Sequence, residues 1–263
     1  MQQAQDFQDE SEALFALLQS SDDAAFAQAT LFKGWTINNV VRHLHVWNIA
    51  ADLSLTNPDE FSAMLSALMQ GGNGIRFTEA EAHYLDGISG RDLLQQWMIQ
   101  VRSTAAHFAN ADPKARLKWA GPDMSAISSI SARLMETWAH AQAIYDVLGA
   151  ERTDTDRVGN IVRLGVNTYG WTFKLRGLDA PQPMPYVRLI APSGAIWEYG
   201  EASDQEVIEG LATEFCQVVT QTRNVADTHL SVTGPKAAHW MSIAQCFAGQ
   251  ANDPPAKGLR KRS

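Results

Sequence analysis

Apolar residues recur with a helical period through the first two-thirds of the chain. The clearest stripe joins Val40, Leu44, Trp47 and Ala51, and Thr36 precedes it as a candidate N-cap. Four long amphipathic segments that are joined by modest loops favour an antiparallel bundle. The predicted helices cover residues 7–26, 36–56, 59–69, 78–109 and 126–148, and an interruption at 87–90 is left open.

The pattern changes between about residues 150 and 180. Two runs of strand-forming residues lie at 186–190 and 195–199, and Pro192-Ser-Gly194 supplies a hairpin turn between them. A further strand is predicted at 229–233, with helices at 155–175, 204–222 and 236–247. We therefore predict a mainly α protein, with a four-helix bundle at 1–152, a small α+β domain at 153–250 and a flexible basic tail at 251–263.

Composition narrows the classes of partner. Of the 263 residues, 45% are apolar and 19% are charged, as in a soluble globular protein. The net charge of −8 argues against nucleic acid, and no apolar run reaches the roughly 18 residues of a membrane helix. The acidic N-terminus lacks the features of a signal peptide, so a cytoplasmic location is expected. Cys216 and Cys246 are then expected to be buried thiols.

Glu136 and His140 are the starting point for a candidate metal site. Because they are four residues apart on a predicted helix, their side chains emerge from one face, one turn apart. That spacing also fits a surface ion pair. However, helical phase places both residues at the edge of the apolar face, beside Ile144 and Val147, where a carboxylate is costly unless it is paired or bound to a cation.

A histidine on the second predicted helix completes this site. His43 falls within the apolar stripe, whereas His45 is turned from it by ~160° and is expected to face a neighbouring element or solvent. We therefore predict that His43, Glu136 and His140 hold a divalent metal ion. Two imidazoles and one carboxylate suit Zn²⁺ first, and also Ni²⁺, Fe²⁺ or Mn²⁺, and they leave coordination positions open for water or substrate.

The residues around these positions resemble the DinB-like family, which includes the mycothiol-dependent maleylpyruvate isomerases. The matching segments are Gly34-Trp-Thr-Ile-Asn-Asn-Val-Val-Arg-His-Leu44 and Ala132-Arg-Leu-Met-Glu-Thr-Trp-Ala-His140. The resemblance implies a bundle of the up-down-down-up type whose metal ligands, by position, are His43, Glu136 and His140. It also implies that a low-molecular-weight thiol takes part. Segments at 175–181, 214–223 and 244–249 resemble a subfamily that is described only as metal-binding proteins.

Two positions determine how much of the isomerase chemistry the resemblance implies. In the isomerase an Asp three residues after the second metal-binding His is thought to take part in catalysis, but Ala143 stands there and can transfer no proton. Arg223 is the candidate for an arginine that the isomerase contributes from its C-terminal domain, and a surface arginine on a helix is the alternative. Trp47, Trp138 and Ala143 are expected to lie near the pocket.

These features predict a metal-dependent enzyme that acts on a small organic acid or on a thiol adduct of one. The ion would act as a Lewis acid in an isomerisation, a thiol addition or elimination, or an S-transfer. Two alternatives stay open: a hydrolase or lyase that uses metal-bound water, and a non-enzymatic protein that binds a metal or ligand. The partner is then a small molecule, with neither nucleic acid nor membrane, and the chain is a monomer or a homodimer. His83 and His107 are expected to be exposed to solvent.

Overall fold

The computed structural model describes residues 1–70 and 77–260 and divides the chain into two compact units. The division falls between Val147 and Leu148, whereas the sequence-based boundary lay after residue 152. The N-terminal unit is a bundle of helices with one two-stranded ribbon. Its elements are α1 (Gln2–Leu18), α2 (Ile37–Thr56), α3 (Pro58–Gln70), α4 (Phe77–Tyr84), α5 (Gly90–Asn110), β1 (Arg116–Leu117), β2 (Met124–Ser125) and α6 (Ala126–Leu148).

Helix α2 lies at the centre of this unit. It packs against α5, which also contacts α1, and it contacts α3 and α4 as well. Because α2 has neighbours on several sides, nearly every residue from Val40 to Asn48 is buried. The largest fully buried side chains of the unit are apolar or aromatic: Phe7, Leu14, Leu18, Phe26, Ile37, Leu44, Trp97, Phe108 and Trp138.

The start of α2 agrees with the predicted N-cap. The Thr36 hydroxyl accepts a hydrogen bond from the backbone N–H of Asn39 at 3.2 Å, and the Asn39 side-chain oxygen accepts one from the Thr36 N–H at 3.0 Å. This reciprocal pair satisfies two N–H groups that the first turn of a helix leaves without partners. It fixes where α2 begins and therefore the direction in which each of its side chains points.

Two predicted helices are shorter than the sequence suggests. The segment 78–109 forms two helices, α4 and α5, because Asp86 and Gly87 adopt φ values of 51° and 72° between them. The left-handed region ends a helix, so the interruption that the sequence left open is present. The first predicted helix, 7–26, ends at Leu18 as α1, and Ala25–Ala27 form a separate 3-10 turn.

The C-terminal unit combines helices with a four-stranded sheet. The strand order is β4-β3-β5-β6, with β3 antiparallel to β4 and parallel to β5. The hairpin predicted between 186 and 199 is present, with Ile190 opposite Ile196. The elements are α7 (Gly159–Asn167), α8 (Tyr169–Lys174), β3 (Tyr186–Ile190), β4 (Ile196–Tyr199), β5 (Val207–Leu211), α9 (Ala212–Val219), β6 (Ser231–Thr233) and α10 (Pro235–Ile243).

The helix predicted at 204–222 is wrong in its first part. Val207–Leu211 form strand β5, and only Ala212–Val219 are helical. Val207 and Ile208 are buried in the sheet, where β5 pairs with β3 on one side and with β6 on the other. Pairing with two strands that are distant in sequence therefore overrides the local helical pattern.

Part of the predicted flexible tail, residues 251–260, is hydrogen-bonded to the rest of the C-terminal unit, and its flexibility stays a prediction. The Asn252 side chain donates a hydrogen bond to the Gln221 side chain at 2.6 Å, and Asn224 donates one to the Pro255 carbonyl at 2.8 Å. Arg260 donates to the Gln221 carbonyl at 2.7 Å. These bonds attach the segment to the turn after α9.

None of the described helices is long and apolar enough to cross a membrane.

Candidate metal centre

The structure brings the three predicted ligands together at one place between α2 and α6. The ligand atoms of His43, Glu136 and His140 all lie within 4.8 Å of one another. Glu136 Oε2 is 3.2 Å from His140 Nε2 and 3.9 Å from His43 Nε2. The side chains of His43, Glu136 and His140 are 13%, 25% and 11% exposed, so the group is largely enclosed and Glu136 lies on its more open side.

This donor set fits a divalent transition metal. Ligand atoms around a tetrahedral ion at about 2.0–2.1 Å lie roughly 3.4 Å apart. The two distances to Glu136, 3.2 and 3.9 Å, are close to this value, and the three ligand atoms together lie within 4.8 Å, so a bound ion would draw them slightly closer. Three protein ligands leave a further position open, as catalytic sites do, whereas structural zinc sites are closed by four. Within residues 1–70 and 77–260, this is the single cluster of three His, Cys, Asp or Glu side chains with such spacing. That the three bind a metal stays a prediction.

Glu81 is a functional candidate that the sequence did not indicate. It lies on α4, it is 0% exposed, and one carboxylate oxygen, Oε1, receives two hydrogen bonds. The distances from Oε1 are 2.7 Å to His43 Nδ1 and 3.0 Å to Trp47 Nε1. The sequence around Glu81 is that of a short polar helix, which predicts that a glutamate there is exposed to solvent. No sequence pattern indicates that it contacts α2, and only the folded chain shows this contact.

The electrostatics of the cluster favour an ionised carboxylate. Burial opposes the charged form of Glu136, but the adjacent His140 and His43 side chains outweigh burial and hold its pKa well below the usual value. Burial also disfavours protonated His43, yet the nearby Glu136 carboxylate and the hydrogen bond to Glu81 raise its pKa above 6.5. For His140 burial dominates, and its pKa is lowered despite the hydrogen bond to Glu136. At neutral pH the site therefore presents a carboxylate to a cation.

Aromatic rings surround the two imidazoles. Trp35 stacks on His140 with 5.8 Å between ring centroids, and Trp47 lies 6.2 Å from His43. Phe77 lies 6.0 Å from both His43 and Trp47. Since aromatic rings provide an apolar surface, a ligand at the open coordination position would contact rings as well as the ion.

The remaining predicted pocket residues have different environments. Trp47 contacts the imidazole of His43 and hydrogen-bonds Glu81, in agreement with a position beside the site. Trp138 is 0% exposed and belongs to the apolar core of the bundle, and its predicted position at the wall of a pocket stays a prediction. Ala143 is partly buried on α6, three residues after His140.

His45 does not face solvent. It is 5% exposed, and burial lowers its pKa to about 4. The sequence expectation allowed a neighbouring element or solvent, and the first is correct because α2 is enclosed by several helices. His83 is exposed as predicted, and the half-exposed His107 contacts Asp52 of α2 at 2.7 Å.

Arg223 lies in the C-terminal unit, in the turn that follows α9. It is 9% exposed, and its Nη1 donates a hydrogen bond to the Thr222 carbonyl at 3.0 Å. The alternative of a surface arginine on a helix is therefore wrong, because the helix ends at Val219 and the side chain is buried. Its predicted contact with a substrate stays a prediction.

Comparisons with known proteins agree with the fold. Residues 7–145 match a family model described as the mycothiol maleylpyruvate isomerase N-terminal domain. Uncharacterized proteins from two strains of Mycobacterium tuberculosis are each 33% identical over 253 residues, which is 96% of this chain and 96% of each relative.

Two solved structures are similar in fold. They are crystal structures of the mycothiol-dependent maleylpyruvate isomerase and of a single-residue mutant of it, with TM-scores of 0.52 and 0.51. Each is 18% identical to this chain, and the match covers 82% of this chain and 87% of the other. At this identity the likeness establishes the fold alone. The predicted fold class, mainly α with a DinB-like four-helix bundle and a small α+β domain, is confirmed.

Proposed function

Because the chain belongs to the mycothiol maleylpyruvate isomerase N-terminal domain family, we propose that it is a divalent-metal-dependent enzyme. Its substrate is a small organic acid or a thiol adduct of one. The reaction is an isomerisation, a thiol addition or elimination, or an S-transfer. The thiol is mycothiol or another low-molecular-weight thiol. Zinc is the first candidate for the ion, followed by nickel, iron and manganese.

The observation that carries this proposal is the convergence of His43, Glu136 and His140 on one point. These residues come from two helices, and their spacing fits one ion with an open position. When bound, the ion supplies Lewis-acid chemistry: it polarises a carboxylate or carbonyl, or it stabilises a thiolate. The three protein residues would hold the ion, and the rings of Trp35 and Phe77 lie beside the two imidazoles.

Charges around the site favour an anionic ligand. Arg42 and Arg133 are buried and interact electrostatically with Glu81, and Arg133 also with Glu136. With neutral imidazoles, two arginines balance two glutamates, so the protein groups contribute no net charge. A divalent ion would then keep its own charge in a poorly solvated site, where an anion such as a carboxylate or thiolate is strongly favoured.

Ala143 limits the chemistry that the protein itself can perform. A methyl group neither accepts nor donates a proton, so no side chain at this position assists a proton transfer. The proposed reactions therefore depend on binding and on the ion more than on a general base. The same observation supports a second candidate function, in which the site binds a metal-associated ligand without turnover.

The proposal is tested by measuring turnover with the metal and the thiol varied separately. The purified full-length chain is stripped with a chelator, reloaded with Zn²⁺, Ni²⁺, Fe²⁺ or Mn²⁺, and given maleylpyruvate and related unsaturated acids with and without mycothiol. We expect turnover that requires both metal and thiol and that is lost in Glu136→Gln. Metal-dependent turnover without a thiol would support a hydrolase or lyase that uses metal-bound water. Stoichiometric metal without turnover of any acid would support the binding protein.

A further inference from the structure

We propose that Glu81 is a positioning residue for the metal centre, holding His43 with its proton on Nδ1 and with Nε2 directed at the ion. This inference rests on the proposed metal site. It assigns a role to α4, which contributes none of the three ligands. The role concerns the orientation and electron density of a ligand, and Glu81 itself does not touch the ion.

The two nitrogens of His43 have different partners. Nδ1 lies 2.7 Å from Glu81 Oε1, whereas Nε2 lies 3.9 Å from Glu136 Oε2 on the other side of the ring. An ionised carboxylate accepts hydrogen bonds and donates none, so a neutral His43 must carry its proton on Nδ1. Nε2 is then left with a free lone pair, which is the form that binds a metal.

Glu81 is itself held in one orientation. The same oxygen, Oε1, accepts a hydrogen bond from Trp47 Nε1 at 3.0 Å, and Trp47 lies one helical turn after His43 on α2. Two donors from α2 therefore hold Oε1 of the carboxylate beside His43. This arrangement matches the carboxylate–histidine–metal triads in which an outer carboxylate orients the ligand and raises its basicity.

Stability alone is a poor explanation for this carboxylate. Glu81 is 0% exposed, and Oε2 has no hydrogen-bond partner among the described residues. Arg42 is close enough to interact electrostatically, but its side chain donates to the Ile88 carbonyl at 2.8 Å. An apolar residue of similar size would fill the position without the cost of burying an incompletely paired charge. The alternative role is a structural link between α4 and α2, and the experiment separates the two.

The test measures metal affinity in the intact chain. Wild type, Glu81→Gln, Glu81→Leu and the control Glu79→Gln are titrated with Zn²⁺ in competition with a chromophoric chelator. Glu79 is an exposed acid of the same helix, so its change removes the same charge away from the site. Loss of an outer-shell partner typically weakens metal binding by roughly 10- to 100-fold. We expect a loss of about 10-fold for Glu81→Gln, about 100-fold for Glu81→Leu and less than about 2-fold for Glu79→Gln.

A purely structural role predicts a different result. In that case Glu81→Leu changes the melting temperature but leaves the affinity of the folded protein for Zn²⁺ at the wild-type value, and this outcome overturns the proposal. If the wild type binds no metal, the proposed function and this inference are both overturned. If the wild type binds metal and both Glu81 variants bind it equally well, only the role of Glu81 is overturned.

A second measurement needs no variant. Nitrogen-15 NMR of the zinc-loaded wild type reports which nitrogen of His43 carries a proton and which binds the ion. We expect a proton on Nδ1 and zinc at Nε2. The reverse assignment overturns the proposal even if neither Glu81 variant folds.

Discussion

The two units of this protein bury polar side chains in different ways. The N-terminal unit buries ionisable groups: Arg42, His45, Glu81 and Arg133 are each less than a tenth exposed. In the C-terminal unit the buried polar groups are mostly amides and hydroxyls. Gln221 Nε2 donates to the Ala244 carbonyl at 2.9 Å, for example.

The buried groups also differ in how completely they are paired. The Thr172 hydroxyl donates a hydrogen bond to the Gln245 carbonyl and accepts one from the Gln245 backbone N–H. The side chain of Gln245 is also paired, because its Nε2 donates to the Gln250 carbonyl at 3.0 Å. In the bundle, by contrast, Arg133 donates Nε to Asn48 at 3.0 Å, while its Nη2 has no partner within the described part of the chain. Most of the buried side-chain polar atoms that lack a hydrogen bond among the described residues belong to the N-terminal unit.

This difference between the units indicates which of them contains the candidate functional site. Fully paired amides complete the hydrogen bonding of turns and stabilise the fold. Buried charges with incomplete pairing cost free energy, and proteins retain them mainly at sites that bind or react. The bundle is therefore the unit in which the candidate chemistry lies, and the C-terminal unit has the more regularly satisfied interior.

The largest expected effect is the loss of metal from His140→Ala. Both units contain a His–Glu contact, since His229 Nδ1 lies 2.8 Å from Glu214 Oε1 in the C-terminal unit. Among the described residues, a third candidate ligand lies beside such a pair only in the bundle, where His43 joins Glu136 and His140. Elemental analysis should show near-stoichiometric metal in the wild type and in His229→Ala, and almost none in His140→Ala. Equal metal in the two variants would remove the contrast between the units.

The pH dependence of stability should show that the bundle buries the ionisable side chain of His45 in its neutral form. The folded pKa of His45 is about 4, below the unfolded value of about 6.5. As the pH falls, the unfolded state therefore takes up the proton first. The contribution of His45 to stability is complete above pH 6.5 and is lost as the pH falls towards 4, by about 3 kcal/mol.

The variant His45→Gln should reduce this fall in the free energy of unfolding by about 3 kcal/mol. Denaturant titrations at pH 7 and pH 4 measure it. His239→Gln, at an exposed position of α10, serves as the control in the C-terminal unit and should keep the wild-type pH dependence. If both variants keep the wild-type pH dependence, the prediction that His45 is buried in its neutral form is contradicted.

Gly234→Ala should damage the C-terminal unit and spare the metal site. Gly234 has φ of 91°, and an added Cβ would lie 2.1 Å from the Gln205 carbonyl oxygen. We expect a loss of at least about 2 kcal/mol of stability. Calorimetry measures this loss, and elemental analysis should find unchanged metal in the folded variant. Gly121→Ala is the matched control, because a Cβ there has no atom within 4 Å and should leave the melting temperature unchanged.

The smallest expected effect is that of Trp47→Phe on metal affinity. The change keeps an aromatic ring but removes the Nε1 donor to Glu81. One hydrogen bond of about 1 kcal/mol corresponds to roughly 5-fold weaker binding of Zn²⁺. Trp240→Phe is the control in the C-terminal unit, because Trp240 Nε1 is buried without a hydrogen bond to any described residue. Competition titration should find wild-type affinity in that control, and an unchanged affinity in Trp47→Phe would contradict the role of the indole.

Local patterns in the sequence determined the parts of the site that lie within one helix. Thr36 and Asn39 define the start of α2, and the four-residue spacing of Glu136 and His140 places both on one face of α6. Helical phase also selected His43 over His45 as the ligand, and the structure places His43 in the cluster. These features follow from the sequence because a helix has a fixed period.

Tertiary structure alone determined the partners that come from other elements. Glu81 is a carboxylate on a short helix, and only the packing of α4 on α2 places it 2.7 Å from His43. His45 is buried because α2 has neighbours on several sides, and Val207–Leu211 form a strand because β3 and β6 flank them. Periodicity specifies how residues are arranged along one element. Which elements meet, and therefore which charges are buried together, depends on contacts between residues that are distant in sequence.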